Sequence, residues 1–163
     1  MSDLLDNANR GLLAEYLVGR ALGCAFDHAR QSWDDFDLLT PTDVRVEVKT
    51  TGRFQSWHVE TSDTESRNPS FTGLRGQALT PDRSKYQGNA EVRADVFVFC
   101  YHQGRQPLCI KEWEFYVVSG PRIDALQQKS IRLSRIRKLT HPLSFSTLRR
   151  AVELAWAESR PPR

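Results

Sequence analysis

Val44-Arg45-Val46-Glu47-Val48-Lys49 alternates apolar and charged residues without a break. Drawn out as a strand, it turns three valines to one side and Arg45, Glu47 and Lys49 to the other, which stands a carboxylate beside an ammonium. Upstream, Phe36-Asp37-Leu38-Leu39 reads as a second strand, and the intervening Thr40-Pro41-Thr42-Asp43 is a short turn-forming segment. A connection of that length makes the two strands antiparallel neighbours. The hairpin is then expected to bring Asp37 to the same end of the sheet as Glu47.

Two carboxylates at a sheet edge form a hard oxygen site that suits Mg²⁺, an ion that keeps most of its waters and takes one or two protein carboxylates. An adjacent lysine can orient a water and offset charge on a pentavalent phosphorus. The reaction expected of the set is phosphodiester hydrolysis. A third carboxylate, Glu15, is the sole acidic residue between Asp6 and Asp27. At 100° per residue it lies among Ala8, Gly11, Leu12 and Leu22, on the border of the helix's buried arc.

Glu15, Asp37, Glu47 and Lys49, in that order and spacing, resemble the PD-(D/E)XK nuclease superfamily over roughly residues 8 to 60. There, a first helix often supplies a glutamate, and a hairpin supplies the Asp and the Glu-x-Lys. The resemblance implies an α/β, restriction-endonuclease-like fold: a central mixed sheet flanked by helices, an αβββ core followed by further strands and helices. It also implies that Asp37, Glu47 and the Val48 carbonyl hold Mg²⁺, with Mn²⁺ as a substitute, and that Lys49 stands beside the attacking water. Phe36 occupies the position of the superfamily's proline, and Asp34, Asp35 and Asp43 rival Asp37. Asp37 is preferred because it leads directly into Leu38-Leu39, whereas Asp34 and Asp35 follow Trp33 in a bend and Asp43 sits in the turn. Gln55-Ser56-Trp57 loosely resembles a glutamine-aromatic element of some branches, which makes Gln55 a candidate contact to phosphate or water.

The chain has 163 residues, 39% of them hydrophobic, with eight Phe and four Trp. That is enough for one nuclease-like domain over residues 1 to 163. No apolar run approaches the ~18 residues of a membrane span, and Met-Ser-Asp-Leu-Leu-Asp lacks the regions of a signal peptide, so a cytoplasmic protein is expected. Three cysteines at uneven spacing do not make a disulfide framework, and no Cys-x-x-Cys or His-x-x-x-His spacing points to zinc. A Gly-rich phosphate loop is also missing, which excludes a nucleotide-driven motor of the usual kind.

Charge is uneven along the chain. Residues 1 to 120 hold 13 Lys/Arg and 17 Asp/Glu, whereas residues 121 to 163 hold 10 and 3, a local net of +7. Arg132, Arg135, Arg137, Lys138, Arg149 and Arg150 are therefore candidates to track a phosphate backbone, the last two with Arg135 and Arg137 being the preferred nucleic-acid contacts.

Residues 4 to 22 read as an amphipathic helix with Leu5, Leu12, Leu13, Tyr16 and Leu17 on its core side and Gly23 as cap. Strands are expected near Cys24 to Arg30 and at Trp57-His58-Val59-Glu60. From about Thr61 to Val92 the composition is that of a long loop or substrate-gripping flap carrying Arg67, Arg75, Arg83 and Lys85. Ala94 to Tyr101 reads as a central strand buried on both faces, and Trp113 to Val118 as another. A short helix opening at Pro121 follows, then a strand over Lys129 to Leu133 and a last helix capped near Ser144 or Ser146, burying Leu148, Ala151, Val152 and Ala155. The expected activity is a Mg²⁺-dependent DNA endonuclease of restriction, phage-defence or repair type. A homodimer is expected where both strands are cut. A ribonuclease, or an inactive module binding nucleic acid or protein, is the alternative.

Overall fold

The computed structural model describes residues 6–25, 36–54, 69–79 and 86–159. Asp6 opens the first helix, α1 (Asn7–Leu22), its carboxylate accepting the N–H groups of Ala8 and Asn9, and Gly23 closes it at φ 74°. The strands are β1 (Leu38–Leu39), β2 (Arg45–Gly52), β3 (Ser70–Thr72), β4 (Gly76–Leu79), β5 (Tyr86–Glu91), β6 (Val96–His102), β7 (Trp113–Ser119) and β8 (Ser130–Arg132). Three further helices follow in the second half: α2 (Gly120–Ala125), α3 (Leu133–Leu139) and α4 (Leu148–Glu158).

The central sheet has the order β1-β2-β6-β7, with β2 parallel to β6 and the outer pairs antiparallel. It is a mixed sheet flanked by helices, the α/β architecture expected. Every residue of β6 is buried, in keeping with its unbroken apolar run. Side chains alternate between two cores. Val44, Val46, Val48, Val96 and Val98 pack with Ala14, Val18 and Leu22 of α1 and Leu148 and Val152 of α4. Phe97, Phe99 and Tyr116 pack on the other face with Phe71, Ile131, Leu133 and Ile136. Each large apolar side chain so buried contributes about 1.5–3 kcal/mol.

Several expectations are corrected. Leu12 and Tyr16 do not face the core; they are 64% and 52% exposed, while Arg10, Ala14, Val18 and Leu22, a strict i, i+4 row, are buried. Residues 61–92 are not one irregular loop: β3, β4 and β5 lie within them, β4 pairing with β5 and β3 with β8. The strand over Lys129 to Leu133 is β8, and it belongs to that two-stranded ribbon with β3 and not to the central sheet. A helix, α3, follows it where none was expected. The last helix starts at Leu148 after a 3-10 turn over Phe145–Thr147, and of its four expected core residues Leu148 and Val152 are buried while Ala151 and Ala155 are partly so. Of the strand expected over Cys24 to Arg30, Cys24 and Ala25 are described and are not in a strand, and the rest lies outside the described residues, as do the strand expected at 57–60 and Leu5. Among the described residues no helix is long and apolar enough to cross a membrane.

Candidate active site

The hairpin read from the sequence forms with Leu38 opposite Val46 and Leu39 opposite Arg45. Its main-chain ladder ends at Asp37. The Asp37 N–H still donates to the Val46 carbonyl at 3.0 Å, but its side chain replaces the next main-chain acceptor: Oδ2 takes the Val48 N–H at 2.7 Å. Asp37 is thereby fixed at the outer edge of β2, alongside Glu47 and Val48. A carboxylate accepting a backbone N–H keeps further lone pairs for other donors or a cation.

Glu47 and Lys49 share one face of β2, and Lys49 Nζ lies 2.6 Å from Glu47 Oε1. Their side chains are only 18% and 20% exposed. The backbone of Gly73, just after β3, covers the lysine: a Cβ there would sit 3.4 Å from Lys49 Nζ, and φ is +71°. Gly73 therefore lets the chain cross directly over the ammonium at a backbone angle that other residues rarely adopt.

Glu15 comes from the opposite side of the sheet. Gly11, one turn before it on α1, lies against Thr50 of β2, where a Cβ would be 3.9 Å from Thr50 Cγ2. The Thr50 hydroxyl donates to the Cys100 carbonyl at 3.2 Å. The Cys100 thiol marks how near the acids lie. Its pKa is raised far above the ordinary value, first by burial and then by the charges of Asp37 and Glu15. Both carboxylates thus act on one point in the α1-side core, and a thiol held protonated there is no nucleophile.

Asp37, Glu47 and the Val48 carbonyl make a donor set of hard oxygens, which fits Mg²⁺ or Mn²⁺ and not a thiolate- or imidazole-seeking metal. Among the described residues no three His, Cys, Asp or Glu side chains gather into a site of their own. Asp43 occupies the turn at φ 60°, away from the Asp37 edge. Asp34, Asp35 and Gln55 lie outside the described residues.

The model of the bacteriophage T4 endonuclease IV family matches residues 1–135. The chain belongs to that family. No curated protein matches it in sequence. An endonuclease family makes the chain a nuclease, with nucleic acid as its partner. The matched stretch of the endonuclease IV family contains Glu15, Asp37, Glu47, Lys49 and Arg135, and it ends before Arg137, Arg149 and Arg150.

The basic residues expected to form one surface do not lie together. Arg137 donates to Glu114 Oε2 at 2.8 Å and to the Tyr116 hydroxyl at 2.9 Å, and its guanidinium lies 5.7 Å from the centre of the Tyr101 ring. Burial pushes the Tyr116 hydroxyl up to about 12. Arg149 on α4 donates to the Ala21 carbonyl at the end of α1 at 3.3 Å. Helix α3, with Arg135, packs on the Phe97/Phe99 core and α4, with Arg149 and Arg150, on the Val46/Val48 core, so the two groups flank opposite faces of the sheet. Arg75 of the expected flap pairs with Asp124 of α2 and donates to the Ala90 carbonyl, a structural position.

Beyond the reach of motif reading lies a buried group at the far end of β2. Arg10 is fully buried, donates to the Phe54 carbonyl at 2.7 Å, and lies against Gly52, where a Cβ would come within 2.5 Å of its guanidinium. His102, also fully buried, sits 3.3 Å from Glu112, and burial followed by the Arg10 charge holds its pKa below the ordinary value. The signal in the sequence was Arg10 standing in the row of Ala14, Val18 and Leu22.

Proposed function

We propose that the chain is a divalent-metal-dependent DNA endonuclease of the PD-(D/E)XK kind, with Asp37, Glu47 and the Val48 carbonyl holding Mg²⁺, and Mn²⁺ able to replace it. The observation that carries this reading is the Glu47–Lys49 pair, largely removed from water at 2.6 Å on the strand whose Val48 N–H is gripped by Asp37. When bound, the ion would supply Lewis acidity and a more acidic water at the scissile phosphate.

The chain's own residues do the rest. Asp37 and Glu47 bring negative charge to the edge of β2, and Lys49 offers its ammonium to the water and to a phosphate oxygen, where charge grows in the transition state. Gly73 limits where the ammonium can go, which keeps it pre-positioned. Glu15, approaching from α1, suits a water-orienting role; Gln55 would add a contact to phosphate. One such centre aligns one scissile phosphate, so cutting both strands of a duplex calls for two copies of the chain, most simply a two-fold pair.

Purified protein incubated with supercoiled plasmid, single-stranded DNA and RNA tests this, with Mg²⁺ or Mn²⁺ against EDTA. Cleavage of DNA that EDTA stops and Glu47→Ala abolishes is the expected result. Undiminished cleavage in EDTA would overturn the metal assignment, and cleavage of RNA alone would overturn DNA as substrate.

A further inference from the structure

We infer that the cleft between β8 and α3 is a phosphate-binding track that carries the substrate backbone away from Lys49. The inference rests on the nuclease reading above and adds to it a separate binding site. The cleft measures about 610 Å³ and is lined by Lys129, Arg132, Arg135 and Lys138, with Ser130 and Ser134 between them. No carboxylate lines it. Three arginines elsewhere around the sheet are paired with acids: Arg45 with Asp95, Arg75 with Asp124, Arg137 with Glu114. None of the four cleft cations forms an ion pair with a described residue. Four like charges around one open cleft repel one another unless an anion joins them, and a polyanion is the partner that relieves this repulsion best.

The position of the cleft ties it to the catalytic pair. A Cβ added at Gly73 would lie 3.4 Å from Lys49 Nζ, and the next residue, Leu74, donates its N–H to the Lys129 carbonyl at 3.2 Å. Strand β3, which leads into Gly73, pairs with β8 through Phe71 and Ile131. Two residues of chain and one strand spacing therefore separate Lys49 from the rim of the cleft, on the order of 10 Å. At about 3.4 Å of axis per phosphate on each strand, a backbone with one phosphate at Lys49 reaches Lys129 within roughly three more. The lining holds cations and hydroxyls and no aromatic ring, so it positions backbone and reads no base.

The test is Arg132→Gln/Arg135→Gln/Lys138→Gln in the full chain, all three positions being exposed. Binding of fluorescein-labelled DNA of about 30 nucleotides is followed by anisotropy in EDTA between about 50 and 200 mM salt, beside a DNA of about three nucleotides that cannot span Lys49 and the cleft. The triple variant is expected to bind the long DNA about 10- to 100-fold more weakly, to lose about two to three units of log–log salt slope, and to leave the short DNA unchanged. Arg20→Gln/Lys111→Gln, two exposed positions outside the cleft lining, should leave the slope unchanged. Wild-type slope in the cleft variant, or an equal loss in this control, overturns the inference. Because binding is read without metal, a chain that binds this way but never cleaves would remove the nuclease reading and leave the track in place. Cleavage lost in Lys49→Met with no slope change in the cleft variant would do the reverse.

Discussion

Replacing both Glu47 and Lys49 with apolar residues, as Glu47→Leu/Lys49→Met, should leave the chain at least as stable as wild type while removing its activity. Removing one partner of a fully buried ion pair costs about 3–5 kcal/mol. These two side chains keep 18% and 20% exposure, and that access to water, with the lysine stem free to bend outward, reduces the cost of each single change to about 1–2 kcal/mol. The double variant strands no charge. Its new side chains continue two apolar rows, Phe97–Val118 beside position 47 and Phe99–Tyr116 beside position 49. Replacing such pairs by apolar residues of similar size is neutral or stabilising, so the cycle should return a coupling of about 2–4 kcal/mol. Urea unfolding measures it: with a slope of about 2 kcal/mol per M, each single variant shifts its midpoint down by about 0.5–1 M and the double does not. Cleavage should fall by at least about 10²-fold in all three. Additive losses, with the double variant the least stable, would refute the buried-pair argument; an active double variant would refute the catalytic one.

Gly73→Val places a side chain against Lys49 Nζ at φ +71°, so it should cost about 1–3 kcal/mol of stability and lower kcat more than it raises KM; unchanged kcat would show that Gly73 does not position the ammonium. His102 is held neutral in the fold, its pKa below the ordinary 6.5, so its stabilising contribution is complete above pH 6.5 and is lost as pH falls through the lowered value, at up to about 1.4 kcal/mol per pH unit. In His102→Phe that part of the acid slope should disappear from unfolding curves taken between about pH 7 and 5; an identical slope would place the titration elsewhere. Mg²⁺ titrated by calorimetry should bind weakly to the chain alone and more tightly with an uncleavable oligonucleotide, because two carboxylates leave coordination positions for phosphate and water; equal affinities would indicate a closed structural site.

The hairpin and its charged face were legible in the sequence because strict alternation leaves one way to lay β2 on a core. The same alternation hid the second core: Arg45, Glu47 and Lys49 read as one charged face, and only the partner strands show that Glu47 and Lys49 lie beside Phe97 and Phe99. Helix α1 was found but turned, since the larger Leu12 and Tyr16 drew the reading away from the row of Arg10, Ala14, Val18 and Leu22 that is buried. The strands of 70–91 escaped because they are short, carry little apolar periodicity, and are defined by pairing with distant residues, β3 with β8 above all. Charge counting located a basic C-terminal quarter, but linear charge does not record which side of a sheet each helix covers; that separates Arg135 from Arg149.

Asp37 shows why the site lies where the regular sheet stops. Continued regularly past Leu38, the β1 ladder would meet the Val48 N–H with a main-chain carbonyl and leave the outer edge of β2 closed. The Asp37 carboxylate makes that bond instead, at 2.7 Å, while β2 runs on to Gly52 with its own partner β6. Such a carboxylate serves two ends at once: it satisfies a buried donor, which would otherwise cost about 1–3 kcal/mol, and it presents negative charge beside the Val48 carbonyl and Glu47. Asp37→Asn separates the two. Its amide oxygen can still accept the Val48 N–H, so stability should hold within about 1 kcal/mol, whereas a neutral ligand should weaken metal-dependent cleavage by about two orders of magnitude. Full activity in Asp37→Asn would mean that the residue shapes the edge and holds no metal.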